Sequence, residues 1–228
     1  MVLRPLPAQT VRGCRVIMNW TAPVFKEDTL LQLSKNWQND LYQDKEKRMS
    51  DIMNTIRQRR SIRRYQEQDV PDDILNKVLE AARWAPSWAN TQCWNFVVVK
   101  EDETKRKIQE AISPRNPSSK AIVNAPVLLV VCARLKKSGY YNDQYPTKFG
   151  DWFMFDLGLA TQNICLAARD FGLGTVIVGL FDHDKVGEII KLPPEHEVMV
   201  LVPLGYPDHA PSPPKRRELQ DFVYYDTF

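Results

Sequence analysis

Between Arg57 and Tyr65 the chain reads Arg-Gln-Arg-Arg-Ser-Ile-Arg-Arg-Tyr, which puts five guanidinium groups and one hydroxyl within eight residues. A guanidinium presents a planar fork of N–H donors that matches phosphate or carboxylate oxygens in pairs, so the run reads as an anion site. Two other readings compete with it: a solvated basic face, and a phosphate patch for nucleic acid. A second basic cluster, Lys215-Arg216-Arg217, stands near the other end of the chain with no evident tie to the first.

Two further stretches have chemistry in their composition. Pro86-Ser87-Trp88-Ala89-Asn90-Thr91-Gln92-Cys93-Trp94 mixes amides, hydroxyls and indoles, a set suited to a planar heteroaromatic ligand but also to an ordinary turn. Ile177-Val178-Gly179-Leu180-Phe181 ends an apolar run with a glycine, where backbone can approach a ligand closely. Gly172-Leu173-Gly174 is not a dinucleotide loop, because it follows a helical pattern, precedes a strand and lacks the third glycine. The histidines, His183, His196 and His209, have no paired ligand spacing, so no metal site is expected. There is no phosphate-binding P-loop and no nucleophile elbow.

The elements that must position these groups belong to a sizeable core, since the 228 residues are 43% hydrophobic and 10% aromatic. The net charge of +3 argues against a strongly basic nucleic-acid binder, and the positive charge is local. Cys14, Cys93, Cys132 and Cys165 are scattered and form no CxxC, which fits reduced thiols in a cytoplasmic protein. No apolar run reaches the roughly 18 residues that span a bilayer, so no membrane partner is expected.

Residues 1–48 differ from the rest of the chain. The first 26 hold four basic residues and no acidic one, with prolines at 5, 7 and 23. This segment reads as an N-terminal extension, disordered or not native, with a helix over 28–48 at most. One domain is expected over 49–228. A helix starting at Ser50 or Asp51 leads into the arginine run. Val70-Pro71-Asp72-Asp73 opens a second helix, which stops at Ala85-Pro86. Strands are predicted over 94–99, 127–132, 175–178 and 198–202, with 127–132 apolar enough to be buried on both faces. Helices are predicted over 101–112 and 185–190, and a helix apolar all round over 151–171, ended by the glycines at 172 and 174. A loop rich in tyrosine covers 139–150. The class is α+β.

In order, these pieces resemble the nitroreductase family of FMN-dependent oxidoreductases. Its opening R-R-S-x-R-x-[FY] is similar to Arg59 through Tyr65. Its P-S-x-x-N-x-Q-P-W resembles Pro86 through Trp94, with Cys93 where the family has proline. Asp156 through Gly174 resembles the segment that ends in G-L-G-T, and Leu204-Gly205-Tyr206-Pro207 with Arg217 resembles its close. The match runs from about Met49 to the C-terminus.

The resemblance implies a mostly antiparallel sheet flanked by helices, and a homodimer with FMN at the interface beside the long buried helix. It assigns Arg59, Arg60, Ser61, Lys215 and Arg217 to the FMN phosphate, and Arg63 to the pyrimidine edge of the ring. Pro86, Ser87 and Asn90 would contact the flavin from the other subunit, and backbone at Val178 and Gly179 would approach N5 and O4. Lys120 would be a further cation near the ring. Relatives commonly carry an acid at the position of Val178, so substrate preference there is its own. The implied reaction passes hydride from NADH or NADPH through flavin to an electron-poor acceptor, a nitroaromatic or quinone, with no catalytic side-chain nucleophile. The alternatives are reductive dehalogenation or flavin fragmentation on the same fold or, outside enzymes, a phosphate- or RNA-binding domain using Arg57–Arg64.

Overall fold

The computed structural model describes residues 51–228. The leader and the helix expected over 28–48 lie outside the described residues. Helix α1 covers 51–58. It is followed by α2 (Asp72–Arg83), β1 (Trp94–Val99), α3 (Asp102–Gln109), α4 (Ser119–Asn124), β2 (Val127–Arg134), α5 (Phe153–Asp170), β3 (Gly174–Thr175), α6 (His183–Ile189) and β4 (His196–Gly205). The four strands form one sheet in the order β1-β2-β4-β3, and every neighbouring pair is antiparallel.

The run Val-Leu-Leu-Val-Val-Cys-Ala in β2 is buried throughout because the sheet is covered on both faces. Successive strand side chains point to opposite faces, so β2 sorts its residues between two cores. Val127, Leu129, Val131 and Ala133 meet Val78 of α2 with Leu157 and Ile164 of α5. Leu128, Val130 and Cys132 meet Ile108 of α3, Ile122 of α4 and Val186 of α6. The sheet therefore lies between α2/α5 and α3/α4/α6. Opposite the Val131/Cys132 junction the register shifts, Val131 pairing with Val200 and Cys132 with Val198. That bulge explains why Val198 and Leu201, three apart, both face the second core.

Local chemistry explains the boundaries. Helix α2 starts behind Pro71 with Asp72 and Asp73 in its first turn and Arg83 in its last, matching the helix dipole. Helix α5 ends in a two-bond C-terminal lock: Leu173 N donates to Ala168 O at 2.8 Å, and Gly172 N donates to Arg169 O at 3.1 Å. The lock needs a left-handed residue, and Gly172 supplies it at φ +75°.

Three sequence expectations change. The strand over 175–178 is only Gly174–Thr175, and beyond it Ile177 turns outward, half exposed, while Val178 makes an isolated bridge to Leu201. The helix over 101–112 ends at Gln109, and its last residues become a turn. Helix α4 was not anticipated; Ala121 and Ile122 bury its inner face. No helix among the described residues is long and apolar enough to cross a membrane.

Candidate active site

The arginine run leaves α1 and lies along the edge of the sheet. Ser61 bridges Thr175 in parallel, with Ile62 N donating to Thr175 O at 2.9 Å. Gln66 N then donates to Tyr206 O, and Asp208 N donates to Arg64 O, so the run is clamped between β3 and the chain after β4. Buried Tyr65 fixes its far end, its hydroxyl lying 2.7 Å from Ile62 O and 3.1 Å from Pro203 O. Burial pushes that phenol far above its usual range.

Held this way, Arg59, Arg60, Ser61 and Arg63 line one side of a cavity of about 350 Å³, and Pro211, Ser212, Pro214 and Arg216 line the other. Four arginines line it, and no acidic residue does. Uncompensated cations around an open space are a fit for a phosphate. Arg60 also donates to the carbonyls of Arg57 and Arg59, closing the end of α1. Of the residues assigned from sequence, Lys215 and Arg217 do not line this cavity; Arg216 does. Arg217 instead donates to Asp221 O and lies over the Phe222 ring, 5.6 Å from its centroid.

Arg63 is tied to a second segment. Its Nε donates to the buried Ser118 hydroxyl at 3.0 Å, Ser118 N donates to Asn116 Oδ1 at 2.9 Å, and Asn116 Nδ2 donates to Leu180 O at 3.3 Å. This chain of bonds joins the arginine run to the turn at 177–181. Val178, whose backbone is expected near N5 and O4 together with that of Gly179, has its N–H donating to Leu201 O at 2.9 Å. Gly179 N has no partner among the described residues, and the Gly179 carbonyl lies 3.2 Å from His183 Nε2. Lys120 lines a different cavity with Arg115 and Asn116.

Pro86, Ser87 and Asn90 sit in and just before a one-turn 3-10 element over Trp88–Asn90. Three residues of this turn are left-handed without being glycine: Ala89 (φ +44°), Asn90 (φ +56°) and Gln92 (φ +47°). Such conformations cost of order 1–3 kcal/mol each and persist only where surrounding bonds over-determine them. Ser87 Oγ accepts from Gln92 N at 2.9 Å, and the Asp156 carboxylate accepts from Trp88 N at 3.1 and 3.2 Å. Pro86 and Asn90 open on a cavity with Arg83, Trp84 and Gln92 that shares no residue with the arginine cavity. Within one chain the two halves of the expected site stay apart.

Cys93, 3% exposed, lies 3.7 Å from Asp156 through its sulfur. Burial first, and the Asp156 carboxylate second, push its thiol up to about 12. That suits a small buried side chain and not a reactive thiolate. Sequence reasoning missed Arg216, Ser118, Asn116, His183, Ser138 and Asp156. Asp156 had a signal: it is the only charged residue between Trp152 and Ala168.

A family model described as the nitroreductase family matches residues 56–122 and 113–206. Over 166 residues the chain is 36% identical to the "Putative NADH dehydrogenase/NAD(P)H nitroreductase" of Methanothermobacter thermautotrophicus, covering 71% of this chain and 80% of that one. It is 27% identical over 217 residues to rat (Rattus norvegicus) iodotyrosine deiodinase 1, covering 80% of this chain and 72% of that one. Among solved structures, a nitroreductase family protein from Clostridium novyi NT superposes with a TM-score of 0.61 at 31% identity, covering 68% of this chain and 86% of the other.

Proposed function

The chain belongs to the nitroreductase family, and on that premise we propose that it is an FMN-dependent oxidoreductase transferring hydride from NADH or NADPH to an electron-poor acceptor such as a nitroaromatic or quinone. The observation that carries the reading is the cavity ringed by Arg59, Arg60, Arg63 and Arg216 with no carboxylate on its wall. When bound, FMN supplies the two-electron chemistry at its N5.

The chain's own residues bind and orient. Arg59, Arg60, Ser61 and Arg216 would hold the phosphate through paired N–H and O–H donors. Arg63, aimed by Ser118, would place a fixed cation at the pyrimidine edge, where reduction develops negative charge. Gly179 offers an unspent backbone N–H. Pro86, Ser87 and Asn90 would meet the ring, while Lys120, Lys215 and Arg217 keep only an outlying role.

The separation of the two half-sites supports a homodimer, since a second copy can bring its Pro86–Gln92 turn to the first copy's arginines. The exposed apolar groups Met154 (60%) and Phe155 (58%) on α5 and Trp84 (73%) beside the turn suit that contact. We place the enzymatic unit over residues 49–228 and the protein in the cytoplasm, where Cys93, Cys132 and Cys165 stay free thiols. A second reading, reductive removal of halogen from an aromatic ring, is favoured by the similarity to iodotyrosine deiodinase 1.

The test is optical. Purified protein should be yellow, lose flavin absorbance under NADH or NADPH, and regain it with a nitroaromatic or quinone. Colourless protein that takes up no added FMN would overturn the flavoenzyme reading. Recovery with a halogenated phenol and not with a quinone would favour the second.

A further inference from the structure

The residues that face Asp156 come from two segments that never touch in sequence. Its carboxylate is 1% exposed at the start of α5. From the turn after α2 it receives Trp88 N–H at 3.1 and 3.2 Å and the Cys93 thiol at 3.7 Å. From residues 136–152, the segment before α5 that includes the tyrosine-rich loop, it receives the Ser138 hydroxyl at 2.6 Å. Ser138 is itself fully buried, and its carbonyl accepts from Trp152 N at 3.0 Å, so the loop is closed onto the same point. The Trp88 and Trp152 rings then pack with centroids 5.1 Å apart. A buried carboxylate without donors is costly, so the three donors are bound to it by necessity.

We propose that Asp156 is a positioning residue that holds the Pro86–Gln92 turn and the 136–152 loop through one carboxylate, so the two segments loosen together. The left-handed Ala89, Asn90 and Gln92 are kept in place by this anchor and the Ser87–Gln92 bond. The inference rests on the flavin reading for what the turn faces; the linkage between turn and loop stands on the bonds alone. Its consequence is that a change in the loop alters flavin retention without touching a flavin-binding residue.

The test uses the full chain as wild type, Ser138→Ala and Asp156→Asn. Amide hydrogen exchange is followed in peptides covering 86–94 and 136–152, and FMN affinity by fluorescence quenching. Ser138 has no bond to the 86–94 turn, so exchange there is a readout that local loop damage would not move. Both variants should speed exchange about tenfold or more in both peptides, as expected for loss of a hydrogen bond to a buried charged group, and both should weaken FMN binding. Faster exchange in 136–152 alone for Ser138→Ala, or unchanged FMN affinity in both variants, would overturn the proposal. If Asp156→Asn does not fold, Ser138→Ala decides by itself. Wild-type protein that takes up no FMN would sink the flavin reading, while the exchange data would still decide the linkage.

Discussion

The amide of Ile62 donates to the carbonyl of Thr175 at 2.9 Å, and this bond turns a run of basic residues into one wall of a cavity. Arg57, Arg63 and Arg64 stay exposed, while Arg59 and Arg60 are partly buried. Paired to β3, with Ile62 buried in the second core, the run presents Arg59, Ser61 and Arg63 on one cavity wall.

Gly174 sits beneath this pairing. A Cβ there would lie 2.5 Å from Ile62 Cγ1 and 2.7 Å from Ile62 Cβ. Gly174→Ala should destabilise the fold by about 1–3 kcal/mol through overpacking, and also weaken FMN retention. Thermal melts of wild type and Gly174→Ala check this; equal melting temperatures would refute the close approach.

Neighbouring basic residues of the tail are inequivalent: Arg216 lines the cavity, while Arg217 donates to Asp221 O and lies over the Phe222 ring. Arg216→Ala should raise the FMN dissociation constant about tenfold, the size of a lost charge-assisted hydrogen bond, whereas Arg217→Ala should change it little. Titrating apoprotein with FMN separates the two, and the reverse ranking would restore the assignment made from sequence.

Arg63 and Ser118 should act as a pair. Removing the cation by Arg63→Gln should lower the flavin midpoint potential by about 30 mV, equivalent to about 1.4 kcal/mol against the reduced form. Ser118→Ala, which leaves the charge but frees its orientation, should give a smaller shift in the same direction. Potentiometric titration measures both.

The buried thiols carry a pH signature. Cys93 is raised from 9.0 to about 12, so the folded state keeps a proton that the unfolded chain releases. Its contribution to stability is complete below pH 9 and is lost as pH rises towards about 12. Melting temperature should therefore fall over that window, less steeply in Cys93→Ala. Native protein at neutral pH should also leave Cys93, Cys132 and Cys165 unlabelled by iodoacetamide, as read by mass spectrometry.

For the dimer, Phe155→Asp should convert a dimer into monomer in sedimentation velocity, because an uncompensated charge replaces an exposed apolar contact on α5. On the proposed shared site, the same variant should also lose FMN, because the turn from a second copy would then be missing. A monomeric variant that keeps full FMN affinity would refute the shared site.

What the sequence determined by itself was local. Periodicity and capping residues placed α2, β1, β2, α5 and the Gly172 stop close to where they lie, because propensity, burial pattern and turn chemistry agree there. The arginine run, the Pro86–Trp94 turn and the glycine at 179 were visible as unusual compositions, and their order carried the family resemblance. The tertiary structure decided which donors are free. It spent the Val178 amide on Leu201, chose Arg216 over its neighbours, and gathered Trp88, Cys93 and Ser138 onto Asp156. These are long-range facts: a hydrogen bond is satisfied once, and which group satisfies it depends on residues 18 to 68 positions away.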